Sequence, residues 1–275
     1  MLTSPPTAES PRRAWVPLAL SYAVAQLTEV FLHEFCHAVA ARAYGYPTTI
    51  GQFVEDNPST SSPAHEAVIA AAGPVGSVAL GLLFLSIYRR SIRRQGFGNL
   101  LMMWLAMTGL VGGIGYLVVM PILTPGDTAV VARILGIPMA LQIVIAAGSM
   151  VALYFVARPL GTMWLDTLPP ATPVASPHER ATSVTRLWIP FLLGFVLLLP
   201  AAIGGDPLIV FYGLIGVWGP GMALIGFMTL GVRRPYERPA STESGSPWRV
   251  PIWGYVLYAA LVAFYLLALR PGLPF

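Results

Sequence analysis

The stretch His33-Glu34-Phe35-Cys36-His37 sets two imidazoles four positions apart, with a carboxylate directly after the first. On a helix of about 3.6 residues per turn, positions i and i+4 share one face, so both rings can ligate one metal ion. Glu34 then points beside the ion rather than at it. A carboxylate placed there can take a proton from an attacking water and pass it to a leaving amine. Zinc suits the pattern, because it accepts nitrogen and oxygen donors in a tetrahedron with one position left open. Glu29 lies one turn before His33 on the same face. There it can accept a hydrogen bond from an imidazole and fix its tautomer, or partner a polar group on another helix. Cys36 is near the histidine face and reads as a small buried hydrophobe.

A catalytic zinc site usually has three protein ligands, so one must come from elsewhere in the chain. Asp127 closes the stretch Pro121-Ile-Leu-Thr-Pro-Gly-Asp127, which is too broken by Pro and Gly to continue a helix and can fold back toward the mouth of a bundle. His65, beside Glu66, is the competing ligand, and its place at the start of an apolar run also suits an interfacial residue. His178 falls in a polar stretch and is assigned no role.

The elements that must hold these groups follow from composition. Of 275 residues, 56% are hydrophobic and 10% charged, and the mean hydropathy is +0.69, a balance that belongs in a bilayer. A nucleic-acid arm needs dense charge and low hydrophobicity, so the formal charge of +4 bears on membrane topology and DNA binding is excluded. All sixteen basic residues are arginine, which excludes lysine Schiff-base and lysine general-base chemistry. The one cysteine excludes an internal disulfide framework and a C-x-x-C zinc or redox pair.

Seven apolar runs are long enough to cross the roughly 30 Å of hydrocarbon: Trp15–Ala41, Ala64–Tyr88, Leu100–Val119, Met139–Val156, Leu187–Ile203, Leu208–Val232 and Ile252–Leu269. The expected fold is therefore an all-α polytopic membrane protein of about seven transmembrane helices, with a zinc site on the first helix completed from the segment after the third. The first run is too long and too rich in ionisable groups for a cleaved signal peptide and is expected to stay in the mature protein. Residues 1–13 read as a cytoplasmic amino-terminal tail, 14–139 as a three-helix core and 140–275 as four further helices. The Pro/Ser/Thr-rich stretches Arg158–Arg186 and Arg233–Arg249 read as flexible inner loops. Gly45–Val54 is expected to form a small re-entrant hairpin.

Arginine placement orients the bundle, because basic residues in short loops stay on the cytoplasmic side. With the amino terminus inside, thirteen arginines fall on inner segments and only Arg42, Arg133 and Arg270 outside. Charge inside hydrocarbon is costly unless paired or ligated, and it is concentrated here: the first run carries Glu29, His33, Glu34 and His37, while the other six interiors are almost free of ionisable groups. The small residues Ala70-Ala71-Ala72-Gly73 and Gly76 offer a flat surface for that helix to pack on.

Three of these pieces resemble the site-2 protease family of intramembrane zinc metalloproteases: His33-Glu-Phe-Cys-His37-Ala-Val-Ala-Ala-Arg42, Ala71-Ala-Gly73-Pro74-Val-Gly76-Ser77, and the Asp127 segment. They come in the family's order and cover roughly Ala14 to Met139. The resemblance implies one zinc ion held by His33, His37 and Asp127, with Glu34 as catalytic base. It also implies cleavage of a peptide bond in or near the membrane helix of a protein or peptide substrate. The expected setting is the lipid bilayer of a bacterial cell, with no nucleic-acid partner. Where the family commonly carries asparagines, this chain has Tyr116 to Pro121 and Gly76-Ser77. The arginine bias also puts the motif in the outer half of the bilayer, whereas well-known members carry theirs toward the cytoplasm. Two other readings use the same residues. One is a catalytically inactive metal-binding membrane protein. The other is a metal or proton transporter, which would need ionisable residues along several helices.

Overall fold

The computed structural model describes residues 15–56, 62–91, 96–169, 172–237 and 249–275. The expected tail, residues 1–13, lies outside the described residues. Among the described residues seven helices are long and apolar enough to cross a membrane, and the chain is an all-α polytopic membrane protein. Helix α1 (Trp15–Ala43) leads into a hairpin of β1 (Thr49–Ile50) and β2 (Glu55–Asp56). Helix α2 (Pro63–Ser91) and α3 (Phe97–Leu110) follow. α3 runs through a π-helical turn at Val111–Gly115 into α4 (Tyr116–Val119), and the chain turns back into the short α5 (Asp127–Ile134). Then come α6 (Met139–Thr167), α7 (Pro177–Thr185) and α8 (Trp188–Leu198), and after them α9 (Pro207–Gly231) and α10 (Ile252–Phe264). A last strand, β3 (Leu273–Pro274), pairs antiparallel with β1 on the side opposite β2.

These helices carry no strong apolar stripe, as expected where lipid replaces water around the bundle. What separates them is how much protein surrounds each one. The spans of α1 and α3 are 67% buried, against 11% for α6. The helix that carries the ionisable groups is thus among those most screened from lipid, which is where such groups are tolerated. α1 packs on α2, α3, α8 and α10, while α6, α7 and α9 form a second layer. Tyr22, Trp104 and Phe191 meet between α1, α3 and α8, with ring centroids 5.1 Å and 5.0 Å from Tyr22.

Two expected boundaries are corrected. The stretch Arg158–Arg186 is no flexible loop: α6 continues to Thr167 through Pro159, and Ser176-Pro-His-Glu179 opens α7 with a capping box. A helix of 29 residues is about 44 Å long, so α6 is longer than the roughly 30 Å of hydrocarbon. α7 is anchored by Arg180, which is buried and donates to the carbonyls of Val232 (2.8 Å), Val174 (2.9 Å), Ala175 (2.6 Å) and Arg233 (3.2 Å). The other expected loop, Arg233–Arg249, lies mostly outside the described residues.

The hairpin gathers one end of the bundle. Gln52 Nε2 donates to Ala201 O at 2.7 Å after α8, the Phe275 amide donates to Thr48 O at 2.9 Å, and Ile50 is fully buried. The α4–α5 turn and the start of α9 lie at this same end, against one cavity with the hairpin. Arg133 and Arg270 are also here, Arg133 paired with Glu66 and Arg270 against Gly204. Arg180, by contrast, sits against the far end of α9. Arg133 and Arg270 thus stand at one end of the bundle and Arg180 at the other.

Candidate metal centre

The metal motif falls in the last third of α1, near the hairpin end of the bundle. Helical spacing stacks His33 and His37 one turn apart, with ring centroids 4.8 Å apart. The chain breaks its helix after Val119, turns at Leu123 and Gly126, and restarts with Asp127 as the first residue of α5. Thr128 Oγ1 donates to Tyr116 O at 2.8 Å and ties that restart to α4. This places the Asp127 carboxylate over both imidazoles. Its Oδ2 lies 3.0 Å from His33 Nε2 and 3.5 Å from His37 Nε2, and the two Nε2 atoms are 3.2 Å apart.

A metal ion fits this donor set. The Ile69 carbonyl can only accept, so His37 carries its proton on Nδ1, 2.6 Å away. Ser77 Oγ gives its single proton to Glu29 Oε1 at 2.7 Å, so toward His33 Nδ1, 2.9 Å away, it acts as acceptor. Both Nε2 atoms are then lone-pair donors facing a carboxylate oxygen, with no hydrogen to place between the two nitrogens. A tetrahedral zinc ligated at about 2.0–2.1 Å would set its donors roughly 3.3 Å apart, close to the three separations seen here. His33, His37 and Asp127 could hold a metal ion.

No family model, curated protein or solved structure matches the chain. The site must therefore be read from its own chemistry. Glu34 is buried and takes no hydrogen bond or ion pair from the described residues. It lines a cavity of about 340 Å³ together with His37, Tyr116, Asp127 and Tyr212. A carboxylate free of partners, beside the ligands and facing a cavity, is placed to exchange protons with whatever enters.

The other expected residues divide. His65 is not a ligand: it stacks on Tyr44 with ring centroids 4.0 Å apart and bonds the Tyr46 hydroxyl at 2.8 Å. Glu66 lines the cavity and pairs with Arg133 at 3.3 Å. Cys36 is half-buried against Gly76, whose missing side chain makes room for its sulfur. Glu29 does not reach an imidazole directly; Ser77 stands between them.

Ser77 and the Ile69 carbonyl are the contributors that the motif alone does not reveal. Ile69, Gly73 and Ser77 are spaced by four along α2 and make one stripe facing α1. The first bonds His37, the second lies flat against both rings, and the third bonds His33. A Cβ at Gly73 would collide with His37 Nε2 and come within 2.6 Å of His33 Nε2, which is why the stripe is glycine at its centre. That four-residue spacing is visible in the sequence, but it gains meaning only once α2 is known to face the histidines.

Proposed function

We propose that this protein is an intramembrane zinc metalloprotease of the site-2 protease kind, hydrolysing a peptide bond in or near a substrate's membrane helix. The observation that carries this reading is the convergence of His33, His37 and Asp127 beside an unpartnered Glu34, on a helix inside the bundle and next to a cavity. His33, His37 and Asp127 would hold the ion. When bound, zinc supplies Lewis acidity to a peptide carbonyl and makes water a better nucleophile near neutral pH. Glu34 takes the proton of the attacking water and delivers it to the departing amine, so that no new charge is left stranded in the cavity. Phe53, Ile69 and Leu123 wall the cavity with apolar surface suited to a peptide drawn from a membrane helix. The arginine distribution favours an amino terminus in the cytoplasm, with the site opening toward the opposite face.

The test is Glu34→Gln in the full chain, with zinc content and membrane-protein fragments measured together. The variant keeps about one zinc per chain, and fragments ending inside membrane segments, present in cells making the parent, disappear. Equal fragment levels in parent and variant would remove Glu34 from the chemistry.

One observation favours a second reading, a metal-binding membrane protein without proteolytic activity. Ser77, standing where the family commonly carries an asparagine, is committed to His33 and Glu29 and is not among the residues lining the cavity. On that reading zinc is retained and no fragment depends on Glu34.

A further inference from the structure

We infer that Ser77 and Glu29 form a positioning relay for His33: Glu29 acts on the metal centre through the Ser77 hydroxyl, which holds the imidazole in the tautomer and rotation that turn Nε2 to Asp127. The inference rests on reading His33, His37 and Asp127 as ligands and goes beyond it by assigning a purpose to two buried polar residues that touch no ion.

The chain of contacts is continuous and directional. Gln26 Nε2 donates to Glu29 Oε2 at 3.2 Å, which fixes the plane of the carboxylate. Ser77 Oγ donates to Glu29 Oε1 at 2.7 Å and receives His33 Nδ1–H at 2.9 Å. A hydroxyl has one proton, so giving it to Glu29 obliges Ser77 to accept from His33. The proton of His33 is thereby kept off Nε2, the nitrogen that faces Asp127 at 3.0 Å. Tyr116 closes the other side of the ring at a centroid distance of 5.2 Å and restricts its rotation.

The surroundings are shaped to this end. Glu29, Ser77 and His33 are all buried, and Glu29 forms no ion pair with an arginine among the described residues. A buried carboxylate without a cationic side chain is costly, and the charge that offsets it is one transmitted along the relay. Gly112, in the π-helical turn after α3, makes space for it: a Cβ there would collide with Glu29 Oε1 and come within 3.3 Å of Ser77 Oγ. The wide turn brings backbone without a side chain up to the carboxylate, a common use of such turns beside functional sites.

The experiment titrates purified full-length protein in detergent with Co²⁺, read by its visible absorption and by competition with a chelator. It compares the parent with Ser77→Ala, Glu29→Gln, the double variant and Ser77→Thr. Ser77→Ala is expected to weaken Co²⁺ binding by about 10- to 100-fold, as loss of an outer partner typically does, and to alter the absorption bands. Glu29→Gln weakens it less. The double variant matches Ser77→Ala, because Glu29 has no other route to the ion. Ser77→Thr, which keeps the hydroxyl, restores most of the affinity. If Ser77→Ala does not fold, Glu29→Gln decides alone: weaker binding supports the relay, and parental binding overturns it. A parent that binds no Co²⁺ overturns the ligand assignment and the relay with it. A parent that binds, with Ser77→Ala binding equally well or with the two losses simply adding, overturns the relay and leaves the ligands standing.

Discussion

Replacing Gly73 by alanine adds one methyl group at the most crowded point of the site. Its carbon would start in collision with His37 Nε2 and 2.6 Å from His33 Nε2, where ordinary contact begins at 3.4 Å. The methyl cannot turn aside, since a Cβ has no torsion of its own. The strain must be relieved by moving α2 away from α1 or by moving the rings. Moving α2 breaks the contacts of Ile69 O and Ser77 Oγ with the two Nδ1 atoms. Moving the rings opens the donor set by several times the roughly 0.2 Å tolerance of a zinc site. Overpacking of this kind costs about 1–3 kcal/mol. If the strain is shed by displacing the ligands, it appears as roughly a 5- to 150-fold loss of zinc affinity, at 1.4 kcal/mol per tenfold. The assay is chelator competition on protein that retains its helical circular dichroism, with Gly148→Ala as control, since no atom lies within 4 Å of a Cβ there. Parental zinc affinity in Gly73→Ala would refute the argument that this glycine sets the ring positions.

Further consequences can be measured in the same preparations. Asp127→Asn keeps the shape but removes the ligand charge, and should weaken zinc by more than the roughly 10- to 100-fold typical of an outer partner; near-parental affinity would exclude Asp127 as a ligand. Arg180→Met leaves four carbonyls without their donor, so unfolding in mixed micelles should move by about 3 kcal/mol or more, while Arg186→Met at an exposed position stays within about 0.5 kcal/mol. Equal shifts in the two would mean that Arg180 does not anchor α7. Tyr265→Phe removes the 2.7 Å bond to Leu27 O and should cost about 0.5–1.5 kcal/mol with zinc affinity unchanged, as checked by the same unfolding and competition curves.

The parts of the fold that depend on local pattern were legible in the sequence. Apolar runs located all seven spans, and the starts of α6 at Met139 and α10 at Ile252 agree to the residue. Ends were harder. Arg158 and Pro159 look like a stop, yet α6 runs on to Thr167, packed against α7 and α9. Ser176-Pro-His-Glu179 has linker composition but is a helix start, Ser176 accepting from the Glu179 amide and Glu179 from the Ser176 amide. β3 was not legible at all: two-residue strands have no periodicity, and β3 pairs with a partner more than two hundred residues earlier. At the site, the histidine spacing and the broken Asp127 segment pointed to three groups that the structure does bring together. Ser77 and Ile69 escaped because their role depends on the rotation of α2 about its axis, which is set by Gly73 meeting the rings.

Charge balance joins these observations. Glu29, Glu34 and Asp127 stand around two imidazoles whose Nδ1 protons are already committed, and the Arg133–Glu66 pair at the cavity, 3.3 Å apart, is exposed to solvent at its rim. Without a cation, three acceptor atoms within 3.5 Å of one another must be kept apart by added protons, each of which would remove a lone pair from the set. A dication satisfies all three at once and offsets the relay behind them. The same excess of carboxylate leaves Glu34 unpaired beside the cavity, so one electrostatic condition would account both for the proposed ligands and for the proposed base. Filling the set with Co²⁺ should therefore raise the stability of the parent in proportion to the logarithm of free metal, and leave the His33→Ala chain unmoved; a parent whose unfolding is indifferent to metal would break this account at its root.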